Sequence, residues 1–325
     1  MRYAIGIDIG GTKISMVLGN HSGKILARRL LATKTGRQTK LGLREIVQSI
    51  KLLLSKYPVS KKDIAGIGVG IPGPVDSGKG IVPKSPHLGG WEGLPLAKYL
   101  QKEIKLPVTL ANDANAAAIG EKIFGQGRRV RHFIYMTIST GIGGGVVVHG
   151  KLLEGASFVA GEVGHMTIVP QGDLCKCGKK GCLEAYASGT AIASYAAGQI
   201  KKGRRSKITQ FLTPGNKITA RMVGLAAASR DPLALETYRR AGFYLGVGIA
   251  NLLNVINPKI VILGGGVLKS APKDFWREML ASARREAWPQ AYQAVKIVRT
   301  KLGDHVGELG ALALAFDSHK INLRP

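Results

Sequence analysis

Nowhere in the 325 residues is there an uninterrupted apolar run of about 18, the length a membrane-crossing helix needs, and the opening MRYAIGIDIG carries no basic segment followed by an apolar one. Neither membrane spanning nor export is expected. Cysteine is scarce: Cys175, Cys177 and Cys182 all fall within eight positions. An odd, crowded set makes a poor disulfide framework and fits a reducing, cytoplasmic compartment and a metal better. Acidic residues are outnumbered, 20 against 47 Lys and Arg, which leaves a formal charge of +27. Such a field draws nucleotides, sugar phosphates, nucleic acid or anionic lipid without selecting among them. The one dense basic patch, Lys201, Lys202, Arg204, Arg205 and Lys207, has no interleaved aromatics to stack on bases. It reads as a solvated loop, and no specific nucleic-acid partner is expected.

What is present is a 45% hydrophobic chain long enough for about two domains. Residues 3–9 and 13–18 read as strands around a Gly10-Gly11-Thr12 turn, and a similar glycine-rich hairpin returns at 133–148. Between them lie a helical stretch at 43–56, a strand at 64–69, a Pro/Gly loop at 70–75, and a strand at 108–111 running into an alanine-rich helix. Leu245, Ile249, Leu252 and Ile256 share a helix face that Asn257-Pro258 ends, and a strand at 260–263 empties into Gly264, Gly265 and Gly266. This alternation predicts an α/β fold. A last helix at 307–316 is expected to return to the N-terminal domain.

Asp8-Ile9-Gly10-Gly11-Thr12-Lys13 places a glycine turn where backbone N–H groups can approach phosphate oxygens, with Thr12 and Lys13 as added donors. It is neither a Walker loop nor a dinucleotide fingerprint, because a strand follows it. A plain tight turn is the alternative, which a second cradle at Ser139 to Gly145 weakens. Asn112-Asp113 ends a strand and starts a helix, so it suits helix capping as well as proton acceptance by a carboxylate. The sharpest local signal is His165, Cys175, Cys177 and Cys182, one nitrogen and three sulfur ligands suited to a closed, structural tetrahedral zinc site. Gly178 and Gly181 let the loop turn back, and Glu162 and Glu184 stand beside it.

Together the segments DIGGTK (8–13), GIPGPVD (70–76), NDANAAA (112–118), STGIGGG (139–145), GEVGH (161–165), CKCGKKGCLEAYASG (175–189) and LGGG (263–266) resemble the ROK family of bacterial sugar kinases and repressors. The resemblance implies an actin-like ATPase (ribonuclease H-like) fold of two α/β domains with ATP and sugar in the cleft between them. We expect a first domain at 1–114, joined by the C-terminal helix, and a larger one at 115–304 with the zinc loop. By position Asp113 matches the catalytic base. Asn112, Glu162, His165 and Glu184 match sugar-hydroxyl ligands with Gly73 lining the pocket, and His165 also matches a zinc ligand. Gly10, Gly11, Thr12, Lys13, Thr140, Gly141, Gly264, Gly265 and Gly266 match nucleotide contacts, and Asp8 is expected to help hold the Mg²⁺ of MgATP through water. The implied partners are MgATP and a hexose, glucose first, with N-acetylated hexosamines, fructose and mannose as alternatives. His87 stands where glucokinases often carry asparagine. The family also implies a homodimer or homotetramer. Its repressors add an N-terminal helix-turn-helix, for which a phosphate hairpin beginning within the first ten residues is expected to leave no room.

Overall fold

A computed structural model describes residues 2–57, 59–83, 88–213 and 215–321. The chain falls into two compact units: unit 1 comprises Met1–Arg131, Gly145–Gly161 and Thr300–Pro325, and unit 2 comprises His132–Gly144 and Glu162–Arg299.

Unit 1 begins with β1 (Tyr3–Ile9), β2 (Lys13–Asn20), β3 (Ile25–Ala32), α1 (Thr39–Lys56), β4 (Ile64–Ile71), α2 (Leu96–Ile104), β5 (Val108–Asn112) and α3 (Asp113–Ile123). Its five strands lie in the order β3-β2-β1-β4-β5. The β1/β2 hairpin is antiparallel, whereas β1, β4 and β5 run parallel with Asp8 beside Gly70 and Ile71 beside Asn112. Asp8 and Asn112 therefore sit at the same, C-terminal edge of the sheet, where α/β folds place ligand-binding groups. Alternation explains the layering. Ile5, Ile7 and Ile9 of β1 join Ile46 and Ile50 of α1 and Leu100 of α2 in one buried cluster.

The opposite sheet face is covered by the last helix. After β6 (Phe133–Ile138), β7 (Ile142–Val148) carries the chain out of unit 2 at Gly144, and β8 (Lys151–Leu152) pairs with its end inside unit 1. In unit 2 the elements continue as α4 (Glu184–Ala187), α5 (Gly189–Lys201), α6 (Ala220–Ala228), α7 (Pro232–Ile256), β9 (Ile260–Gly264), α8 (Val267–Ser270), α9 (Lys273–Glu286), α10 (Pro289–Ala294) and β10 (Lys296–Arg299). Then α11 (Val306–Ile321) closes unit 1. Its Ala311, Leu312, Ala313, Leu314 and Ala315 are all buried, and it lies so close to β4 that a Cβ on Gly68 would stand 1.9 Å from the Ala311 carbonyl oxygen.

In unit 2, β9 lies between β6 and β10, all parallel, with Thr137 beside Gly264. Helix α7 starts on Asp231, whose carboxylate accepts from the Ala234 N–H at 2.8 Å, and stops at Asn257 in the left-handed conformation ahead of Pro258. The basic patch is tied to this helix start. Arg204 makes two 2.8 Å hydrogen bonds to Glu236, and Lys207 donates its backbone N–H to Asp231 and its Nζ to the Ser229 carbonyl.

Candidate active site

In unit 1 the Gly10 N–H donates to the Lys13 carbonyl at 2.8 Å, closing the hairpin turn, while Thr33 donates its hydroxyl to the Gly10 carbonyl at 2.7 Å. Gly11, Thr12 and Lys13 are left exposed. The capping reading of Asn112-Asp113 is realised. Asn112 Oδ1 accepts from the N–H groups of Ala114 and Asn115 at 2.9 and 3.2 Å, and its Nδ2 donates to the Gly73 carbonyl at 3.1 Å. The cap thus fixes the Gly73 loop to the end of β5. Asp113 itself is exposed, with Oδ1 accepting from the Ala114 N–H at 2.8 Å, so the helix N-terminus favours its charge. Asp8, half-buried, is the counterpart. Burial, together with the negative charges of Asp113 and Glu308, pushes its carboxyl up to about 6 against the pull of Lys13.

In unit 2 the strands β6 and β9 end side by side, which brings Gly264, Gly265 and Gly266 next to the Ser139-Thr140-Gly141 turn. A Cβ on Gly265, whose φ is +102°, would stand 2.2 Å from the Ile138 carbonyl oxygen. Glu184, at the start of α4, accepts from the Ile142 N–H at 2.8 Å and lies where a Cβ on Gly141 would meet it. The second glycine turn is therefore moulded on Glu184. Thr190 reinforces it, donating its hydroxyl to the Thr140 carbonyl at 2.8 Å. No motif in the sequence had singled out Thr190.

The four sequence-predicted metal ligands meet. One ligand atom each from His165, Cys175, Cys177 and Cys182 lies within 4.8 Å of the others, with Cys177 Sγ and Cys182 Sγ 3.7 Å apart and Cys175 Sγ 3.8 Å from His165 Nδ1. A tetrahedral zinc with bonds of about 2.3 Å to sulfur and about 2.0 Å to nitrogen needs ligand atoms roughly 3.5–3.8 Å apart. The donor set fits. Gly178 and Gly181 adopt positive φ, as the reversal of the loop requires. His165 turns its other nitrogen, Nε2, toward Glu162 at 4.0 Å. Burial pushes the Glu162 carboxyl up, opposed by His165 and aided by Glu184. A protein so arranged can offer carboxylates and a ring nitrogen to a polyhydroxylated ligand beside the His165/Cys175/Cys177/Cys182 cluster.

The profile of the ROK family matches residues 4–318. The chain belongs to the ROK family. Among ROK relatives, the glucokinase of Halalkalibacterium halodurans is 35% identical over 310 residues, covering 95% of this chain and 93% of its own length. A xylose repressor of Caldicellulosiruptor bescii is 34% identical over 315 residues, covering 95% of this chain and 77% of the repressor. Among solved structures, a ROK family glucokinase from Streptomyces griseus in complex with glucose and AMPPNP superposes with a TM-score of 0.81 at 32% identity, covering 97% of this chain and 99% of the other. The two α/β units thus have the actin-like ATPase fold of ROK proteins. ROK relatives include both a kinase and a repressor, so the residues of the site, and not membership, distinguish the two. Among the buried charged groups that no sequence motif marks is Glu308, in the first turn of α11. The segment GELGALA signals a helix and nothing more. The stretch compared with glucokinases at Ser85 to Trp91 begins outside the described residues, and His87 is among those left out.

Proposed function

We propose that this protein is an ATP-dependent hexokinase that transfers the γ-phosphoryl group of ATP to the 6-hydroxyl of glucose. The observation that carries the reading is Asp113, an exposed carboxylate at the end of β5 whose backbone is fixed by the Asn112 cap. Asp113 accepts the hydroxyl proton as the oxygen attacks the γ-phosphorus. Phosphoryl transfer has a loose transition state, so positioning and charge neutralisation supply most of the acceleration. Gly10, Gly11, Thr12, Lys13, Thr140, Gly141, Gly264, Gly265 and Gly266 hold the nucleotide. Asn112, Gly73, Glu162, His165 and Glu184 hold the sugar. Mg²⁺ would supply neutralisation of phosphate charge, and Asp8 would help to hold it. His165, Cys175, Cys177 and Cys182 would hold zinc as four ligands, and the ion would supply a fixed loop rather than chemistry on the substrate.

The Streptomyces griseus complex with glucose and AMPPNP supports both substrates. N-acetylmannosamine, N-acetylglucosamine, fructose and mannose are the alternative acceptors. A cytoplasmic homodimer or homotetramer is the form we propose, in keeping with the clustered free thiols and with the lack, among the described residues, of any helix long and apolar enough to cross a membrane. A sugar-binding regulator without catalysis is the second reading, favoured by the repressor relative. ADP release measured over a panel of hexoses and amino sugars, with zinc quantified in the same sample, separates them. We expect turnover with glucose, and a loss of about 10² to 10⁴ in kcat for Asp113→Asn with sugar affinity within about twofold. Sugar binding without turnover on any member of the panel would select the regulator.

A further inference from the structure

Glu308 is 2% exposed yet carries a charge, and every neighbour that satisfies it comes from unit 1. Ser15 of β2 donates its hydroxyl to Oε1, Arg28 of β3 pairs with the same oxygen, and His305 Nδ1 donates to Oε2 at 2.8 Å. Arg28 Nε also donates to Ser15 Oγ at 3.3 Å, closing the ring of contacts. Burial alone would push this carboxyl up, but the Ser15 and His305 hydrogen bonds and the Arg28 charge carry it below the usual range. An ionised group so enclosed is costly unless it is fully paired, and here it is.

The position of this clasp gives it a consequence. Glu308 stands in the first turn of α11, one residue after Gly307, and a Cβ on Gly307 would lie 2.3 Å from Asp8 Oδ2. No side chain fits between that turn and the Asp8 carboxylate. Whatever fixes the turn therefore fixes one side of the space that Asp8 occupies, and the ring of Ser15, Arg28 and His305 grips the turn from β2, β3 and the segment before α11.

We propose that Glu308 is a positioning residue for MgATP: clasped by Ser15, Arg28 and His305, it seats the first turn of α11 against the Asp8 carboxylate. This rests on the reading of Asp8 as a nucleotide-side group. Glu308 itself touches no substrate. Its removal should loosen the turn and weaken the use of MgATP without touching the sugar.

Two measurements on the full chain decide it. Amide exchange on nucleotide-free protein should quicken about tenfold in peptides covering 306–312 of Glu308→Gln, and less in the milder Ser15→Ala, while α7 keeps its protection. In steady-state kinetics the KM for MgATP should rise about tenfold in Glu308→Gln, with kcat and the KM for sugar within about twofold. A general loss of structure would instead move all three constants or lower the active fraction. Unchanged exchange over 306–312 would overturn the clasp. Faster exchange with an unmoved KM for MgATP would overturn the positioning role. A wild type that neither binds nor uses MgATP would overturn the kinase reading, and the exchange result would still decide whether Glu308 holds the turn.

Discussion

Two carboxylates at one helix turn, Glu308 buried and Asp8 half-buried, are treated in opposite ways. Glu308 is paired on both oxygens and stays ionised, whereas Asp8 faces burial and like charges and holds its proton to about pH 6. The sign of the resulting pH dependence is fixed. The folded protein binds this proton up to about pH 6 and the unfolded chain releases it near 3.8, so the favourable contribution of Asp8 is complete below 3.8 and lost as pH rises through 6. Above that the ionised group costs the fold about 3 kcal/mol relative to a neutral isostere. Asp8→Asn should therefore raise the Tm at pH 8 in magnesium-free buffer and raise it less at pH 5, while impairing turnover. Thermal melts across that range check it, and an equal gain at both pH values would show that the Asp8 charge is not the cause. Such a cost is the mark of a group kept for function, since a cation placed nearby would stabilise the same charge.

At the scale of elements, α11 rests on β4 backbone to backbone, because Gly68 presents no side chain. Gly68→Ala puts a methyl group 1.9 Å from the Ala311 oxygen, and neither partner is a flexible side chain that can yield. Destabilisation of about 3 kcal/mol or more is expected, read as loss of soluble protein or a Tm lower by roughly 10 °C. A near-native Tm would show that α11 can slide. The hairpins around Gly10 and Ser139, the Asn112 cap, the end of α7 at Asn257 and the clustered cysteine loop were legible in the sequence because each is a local pattern in which a few neighbours determine the geometry. The strand β3 was not. Its ILARRLLA mixes one exposed and one half-buried arginine with both half-buried and exposed apolar residues and follows neither period cleanly. Glu308 was illegible for another reason. Its partner Ser15 is 293 residues away, and no spacing rule reaches across that separation. The association of Glu184 with Gly141 is likewise a tertiary fact: the glycine is required by a carboxylate 43 positions later, and not by the turn alone.

For the whole molecule the dominant physical fact is the +27 charge. Acidic groups are largely spoken for by partners such as Arg28–Glu308, Lys34–Glu45, Lys122–Asp317, Arg204–Glu236 and Arg240–Asp173, so with 47 basic residues against 20 acidic ones most cations face solvent without an acid of their own. The exposed pairs among these, such as Arg204–Glu236, contribute little to stability. The surplus acts instead at a distance, concentrating anions around the protein over a Debye length of about 10 Å at 0.1 M salt. Its effect on a kinase would be selective by charge: MgATP is an anion and glucose is neutral. Raising NaCl from about 0.05 to about 0.5 M should increase the KM for MgATP several-fold while leaving kcat and the KM for sugar nearly constant. The same titration should release any bound DNA, with an affinity that falls steeply with salt and ignores sequence. If KM rose equally for the neutral sugar, salt would be acting on the fold or the sugar contacts. The positive field would then play no part in delivering the donor.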